Sequence, residues 1–307
     1  MKNRLHFNRG PGLKSPGQPG QDLLTEGVLD ANVETTPEGD VRVALWREWR
    51  AMLDDLRSVG PVWTMVRNGH SVLAVQDPYP ELIYAADQQS AGMCNGERSL
   101  TYYFPAWHQA VAFDANCCCG RIHGLEIENR KGDAFHRICL TKGSNLGTFA
   151  EWVQMHQANG METEAVATDE TPLLPLFSTA LTPGTLQFPP ELLRTVLITA
   201  AHREIQMIAR VSNEGMSQTA RIEVLKASEA HGWLALSGNQ GSLYVTSEPT
   251  GTLLLEPGTI EGESLWRLSL VGQDRHRLLR LQAGTDSREA WNQLIREIVL
   301  CTLGQEL

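Results

Sequence analysis

The side chains of this chain best suited to chemistry are its nine histidines, its six cysteines and an aromatic run at positions 102 to 108. His108 follows Trp107 and stands close to Tyr102, Tyr103 and Phe104. An imidazole among aromatic rings can line a pocket for a flat apolar ligand, although the same composition more often builds core. His70 follows a turn-like Arg67-Asn68-Gly69 and precedes an expected strand. His136 and His276 take equivalent places in two similar segments, each followed by an arginine, and read as structural histidines. His202 closes an expected helix, where a cation complements the dipole, and His231 beside Gly232 marks a turn.

Cys117, Cys118 and Cys119 are consecutive, and Cys94, Cys139 and Cys301 are scattered. Adjacent strand residues point to opposite faces, so the trio does not converge on disulfide partners and a reducing compartment fits best. Cys117, Cys119 and His123 offer part of a zinc site. There is no paired C-x2-C and no second half with matching spacing, so small buried or strand-edge thiols are the better reading. The sequence holds no Walker A loop, no G-x-G-x-x-G after a strand, no G-x-S-x-G and no H-E-x-x-H. Glu126 with Glu128 reads as a solvated strand face and not as a catalytic pair.

The elements that must position these residues come twice. Residues 134–156 give a strand through His136-Arg137-Ile138, a Gly/Ser/Asn turn and a helix bearing Phe149 and Trp152. Residues 274–295 repeat this with His276-Arg277-Leu278, a turn, and a helix bearing Trp291 and Leu294. Val66-Arg67-Asn68-Gly69 returns as Val211-Ser212-Asn213-Glu214-Gly215. The chain divides by composition into a Gly/Pro-rich tail (1–21), a first copy (22–157), a Pro-rich linker (158–189) and a second copy (190–307).

Apolar spacing at Leu45, Trp49, Met52, Leu53 and Leu56 predicts a helix from Val43 to Leu56. Strands are expected at 62–67, 71–75, 81–86, 99–104, 109–114 and 122–128, the last forming a hairpin with 134–141. Helices are expected at 147–157, 190–203 and 287–300, with further strands between 205 and 281. Runs of antiparallel strands followed by helices indicate an α+β fold. A net charge of −10 argues against non-specific nucleic-acid binding. No apolar run is long enough for a membrane helix and no apolar stretch follows Lys2 and Arg4, so the expectation is a cytoplasmic protein without membrane insertion.

Taken together, these segments resemble the HemS/ChuS/HmuS family of cytoplasmic haem-utilisation proteins, which are internally duplicated. The resemblance runs from Trp49-Arg50-Ala51-Met52-Leu53 to Met65-Val66-Arg67-Asn68 and through Phe104-Pro105-Ala106-Trp107-His108. It is densest from His123-Gly124-Leu125-Glu126-Ile127 through Ala134-Phe135-His136-Arg137-Ile138 to Ser144-Asn145-Leu146 and Phe149. In the second copy it rests on Val211-Ser212-Asn213-Glu214-Gly215-Met216-Ser217-Gln218. It implies two α+β repeats and haem bound in a cleft between one repeat and the linker.

The departures fall where the resemblance implies haem chemistry. Thr171 stands at the position of the family's axial histidine, Tyr102 replaces its distal arginine, and Val72-Leu73 replaces a Val-His. Thr is a poor iron ligand, whereas Tyr102, His108 or His70 can ligate iron; the expected ligand is Tyr102 or His108, and Arg67 is available for a propionate. Haem trafficking or storage is therefore favoured over oxygen-dependent haem degradation. The alternative is a non-haem interaction or regulatory protein that keeps the duplicated scaffold. The partners implied are haem, an electron donor or haem acceptor, and a second copy in a homodimer.

Overall fold

The computed structural model describes residues 41–117, 120–157, 183–260 and 262–302. The first half carries β1 (Val41–Leu45), α1 (Trp49–Asp55), β2 (Pro61–Arg67), β3 (Ser71–Pro78), β4 (Ile83–Tyr84) and β5 (Ser90–Asn95). It continues with β6 (Arg98–Tyr103), β7 (Gln109–Cys117), β8 (Gly120–Glu128), β9 (Ala134–Leu140) and α2 (Leu146–His156). The second half carries β10 (Leu186–Phe188), α3 (Leu192–His202), β11 (Met207–Ser212), β12 (Met216–Ile222), β13 (Lys226–Ala230) and β14 (Trp233–Ser237). It closes with β15 (Gly241–Thr246), β16 (Thr252–Ile260), β17 (Glu263–Val271), β18 (Arg277–Ala283) and α4 (Arg288–Thr302). Antiparallel ladders with helices at their ends make this the α+β fold that the sequence indicates.

The described residues form two compact units. The first takes 41–65, 76–93 and 102–157, and the second takes 66–75, 94–101 and 183–302. In the first, the strand order is β1-β7-β8-β9-β2, and α2 buries Phe149 and Trp152. The Trp152 indole donates to the Met52 carbonyl at 3.1 Å, which ties α2 to α1. Asn145 caps α2 by accepting from the Thr148 amide at 3.0 Å, as its residue type favours. In the second, β10-β16-β17-β18-β11-β12 run side by side, and β3 joins the β15-β14-β13 meander. There α4 buries Trp291, whose indole donates to the Trp266 carbonyl at 2.7 Å. His231 and Gly232 both take positive φ and form the two-residue turn between β13 and β14.

The pairing registers define the duplication more closely than the residue letters do. Gln109 opposite Glu128 in β7–β8 corresponds to Thr252 opposite Val271 in β16–β17. A bulge after Ile127 in the β8–β9 pair corresponds to one after Leu270 in β17–β18. Val43 opposite Ala112 corresponds likewise to Leu186 opposite Leu255. Under this register His136, opposite Ile127, matches Leu279, opposite Leu270. The expected equivalence of His136 and His276 is therefore corrected. The bulge sets the phase of the strand, and His276 falls in the turn before β18.

Residues 43–45 also differ from the expected helix. They belong to β1, whose β-branched Val41 and Val43 pair with β7, and the helix starts only at Trp49. Leu45 falls on the helical period by coincidence and is buried from the strand.

The echo of Asn68 in Asn213 has a structural basis. Asn68 Oδ1 accepts from the amides of His70 and Ser71, both at 2.9 Å. Its Nδ2 donates to the carbonyls of Ser212 and Leu278, both at 2.8 Å. Asn213 Oδ1 accepts from the amides of Gly215 and Met216, at 3.0 and 2.9 Å, and its Nδ2 donates to the Arg67 carbonyl at 2.9 Å. Each asparagine folds its own turn and ties it to backbone of the other repeat's sequence, inside the second unit.

Candidate ligand-binding site

The aromatic run at 102–108 folds as core in the first unit. Tyr102, Phe104 and Trp107 are buried, with Trp107 edge-on to Tyr102 at 5.3 Å. The Tyr102 hydroxyl lies 2.7 Å from that of Tyr79. Burial raises the Tyr79 phenol well above its ordinary value, and the neighbouring Tyr102 phenol pushes the same way, so Tyr79 stays protonated. His136 is fully enclosed beside this cluster, its Nδ1 2.9 Å from the Met65 carbonyl, while its Nε2 is buried with no hydrogen-bond partner among the described residues. Burial lowers its pKa to about 4, so the ring is neutral at pH 7. His108 is half-buried, and burial followed by the charges of Arg47 and Arg130 lowers its pKa, which leaves a neutral imidazole.

The turn carrying Arg67 and His70 belongs to the second unit. His70 Nε2 lies 3.2 Å from Thr250 Oγ1, and its Nδ1 is buried with no hydrogen-bond partner among the described residues. Burial lowers its pKa, again favouring the neutral ring. Asn68 anchors this turn to the Leu278 carbonyl, one residue from Arg277. Tyr102 and His108 thus belong to one unit, and Arg67 and His70 to the other. Thr171, Cys118 and Cys119 lie outside the described residues.

Equivalent sheet faces of the two units differ in charge. In the first, Glu126 stands opposite Arg137 and is nearly inaccessible at 4% exposure. Arg137 Nε donates to Glu126 Oε1 at 2.8 Å, and Arg42 bridges Glu126 and Glu128 at 3.0 and 2.9 Å. This corrects the expected solvated face, because Arg137 on the neighbouring β9 and Arg42 on β1, two strands away, cover the glutamates. Burial acts to raise the Glu126 pKa, but Arg137 and Arg42 outweigh it and hold the carboxyl low. Two arginines thus meet two glutamates, and the face is balanced.

In the second unit Ser269, not a glutamate, stands opposite Arg280, and Arg277 takes the place that Ala134 has in the first. Arg280 is also opposite Arg210, and Arg267 is opposite Glu256, so all these side chains share one face. Glu256 accepts from Arg277 at 2.5 Å and from the Ser269 hydroxyl at 2.8 Å, and lies 3.9 Å from Arg280. Four arginines share this face with one buried carboxylate, of which Arg277 and Arg280 approach it, while Arg210 donates to the Ser217 hydroxyl at 2.9 Å and Arg267 to Gln282 Oε1 and the Thr259 carbonyl, both at 3.2 Å. The Nε atoms of Arg277 and Arg280 are buried with no hydrogen-bond partner among the described residues. Burial, then the charge of Arg277, lowers the Arg280 pKa to about 10, with Arg267 and Arg210 adding to the shift and Glu256 opposing it. Arg210 is lowered by burial and by Arg277. An anion would relieve this repulsion, with carboxylate the natural match for guanidinium forks. These arginines are scattered at 210, 267, 277 and 280, and only the strand register brings them together.

No protein-family model matches the sequence, and no curated protein matches it. Solved structures do. The chain is similar to holo-PhuS, a heme-binding protein from Pseudomonas aeruginosa, with a TM-score of 0.68 at 16% identity over 82% of this chain and 85% of that one. It is similar to the heme degrading enzyme ChuS of Escherichia coli O157:H7, with a TM-score of 0.68 at 16% identity over 83% and 86% of the two chains. A further structure, of ChuS described as an E. coli heme oxygenase, gives a TM-score of 0.66 at 14% identity over 84% and 89%. The chain therefore has the HemS/ChuS-like duplicated fold that its sequence resemblance implies.

Proposed function

We propose that this protein binds haem and serves in haem utilisation, with the arginine face of the second unit holding the haem carboxylates. What carries this proposal is the charge imbalance of one sheet face, on which Arg210, Arg267, Arg277 and Arg280 meet the single carboxylate of Glu256, on the fold of PhuS and ChuS. Haem presents two carboxylates on an apolar disc, and the excess guanidinium charge of this face complements them. Arg67, in the same unit, is a further candidate for a propionate. His70 is our first choice for iron ligand because it is neutral, has a buried ring nitrogen without a hydrogen bond, and lies in the same unit as the arginines. His108 is the second choice. Tyr102 ranks below both, since ionising a fully buried phenol bonded to another phenol is costly.

When bound, haem would supply the oxygen chemistry that its iron allows, and the chain would supply position and access. With Thr171 at the position implied for an axial histidine, we favour binding and trafficking in the cytoplasm over breakdown. A haem acceptor or electron donor, and homodimer formation, belong to the same proposal. The test is titration of the purified protein with hemin, followed in the Soret region. The proposal expects a saturable band with one-to-one stoichiometry that shifts in His70→Ala, and in His108→Ala if that residue is the ligand instead. A broad band that does not saturate and is unchanged in both variants would exclude specific binding.

A further inference from the structure

In the first unit Tyr84, Phe104 and Tyr102 form a ladder of nearly parallel rings. Tyr84 and Phe104 lie 6.4 Å apart at 28°, and Phe104 and Tyr102 lie 6.4 Å apart at 12°. Trp107 stands edge-on to both inner rings, at 5.0 Å from Phe104 and 5.3 Å from Tyr102. The inner end is closed, because Tyr102 is 0% exposed and faces Tyr79. The outer end is built differently. Tyr84 is partly exposed and donates its phenolic proton to Asp54 Oδ1 at 2.8 Å, with the Arg50 guanidinium 4.7 Å over its ring.

Core packing accounts for stacked rings, but not for a carboxylate placed on the phenol of the outermost one. The pairing matters chemically because an oxidised phenol is a strong acid. It forms readily only where its proton can leave with the electron. Burial, together with the Asp54 hydrogen bond and charge, keeps the Tyr84 phenol protonated well above its ordinary range, so the proton is present to be transferred.

We propose that Tyr84 is a redox-active tyrosine, the outlet through which an oxidising equivalent on the buried aromatic ladder leaves the first unit. In the first step Trp107 gives one electron to a peroxide-derived radical, which takes a proton from solvent and departs as a hydroperoxide. An electron then passes from Tyr84 along the stack to the Trp107 radical cation, while the Tyr84 proton moves to Asp54. The products are neutral Trp107, a neutral tyrosyl radical and a protonated carboxyl. A small thiol returns a hydrogen atom to Tyr84 and leaves as a thiyl radical, and Asp54 gives its proton to water. Buried rings are thereby spared permanent oxidation.

The test uses the full chain without haem, so its outcome is separate from that of haem binding. A photogenerated ruthenium(III) tris-bipyridine supplies the one-electron oxidation. Freeze-quenched electron paramagnetic resonance and peptide mass spectrometry then read the radicals and products. Tyr84→Phe is expected to remove more than half of the tyrosyl signal and to raise oxidation products at Trp107. Asp54→Asn keeps the tyrosine but removes the proton acceptor, and is expected to lower the tyrosyl yield as well. A wild-type tyrosyl yield in either variant, with unchanged products at Trp107, would overturn the assignment.

Discussion

Arg277 and Ala134 hold the same place in the two repeats, yet only one of them belongs to a cluster of like charge. That comparison makes Arg277→Ala an informative substitution, because the first unit already accommodates alanine there. It is expected to leave the fold intact and weaken hemin binding by ~10-fold, the order of one charge-assisted hydrogen bond. Spectroscopic titration alongside circular dichroism checks both parts. His136 and Leu279 form a second such pair. The His136 pKa falls from 6.5 in the unfolded chain to about 4 in the fold. As pH drops, the unfolded chain takes up the proton first, so stability is full above that upper value and declines toward the lower one. The loss amounts to about 3 kcal/mol across this window. His136→Leu should abolish this part of the pH dependence, while losing the hydrogen bond to Met65 costs ~1–3 kcal/mol at pH 7. Urea unfolding of both proteins at several pH values measures the two effects.

At the scale of elements, the asparagine turns and the strand registers hold the duplication together. Asn68→Ala removes two donor bonds to Ser212 and Leu278 as well as the acceptor of its own turn. Asn213→Ala removes one such donor bond and its turn acceptor. Both should destabilise the protein, Asn68→Ala by ~3 kcal/mol and Asn213→Ala by less, as measured by urea unfolding. The asparagine echo was legible in the sequence because a tight turn constrains residue type. Helices α2, α3 and α4 were legible from their apolar period, since each lays one stripe on its sheet. Strand β1 was not, because a short edge strand beside a helix shares that helix's apolar spacing by chance. The phase of β18 was hidden too, since a bulge moves every later side chain without leaving a mark in the letters.

For the whole molecule, the sequence carries the α+β class and the duplication, and the solved structures of PhuS and ChuS share that fold. The aromatic run was legible as core from its composition. The arginine face was not, because its members lie on β11, β17 and β18 and meet only across paired strands. Their shared face bears on carboxylate binding before it bears on iron. The most direct test compares the affinity of hemin with that of its dimethyl ester, in the wild type and in Arg277→Ala. Carboxylate recognition predicts that esterification weakens binding to the wild type and that the loss shrinks in the variant. Equal affinities for acid and ester in the wild type, or an undiminished loss in Arg277→Ala, would contradict it.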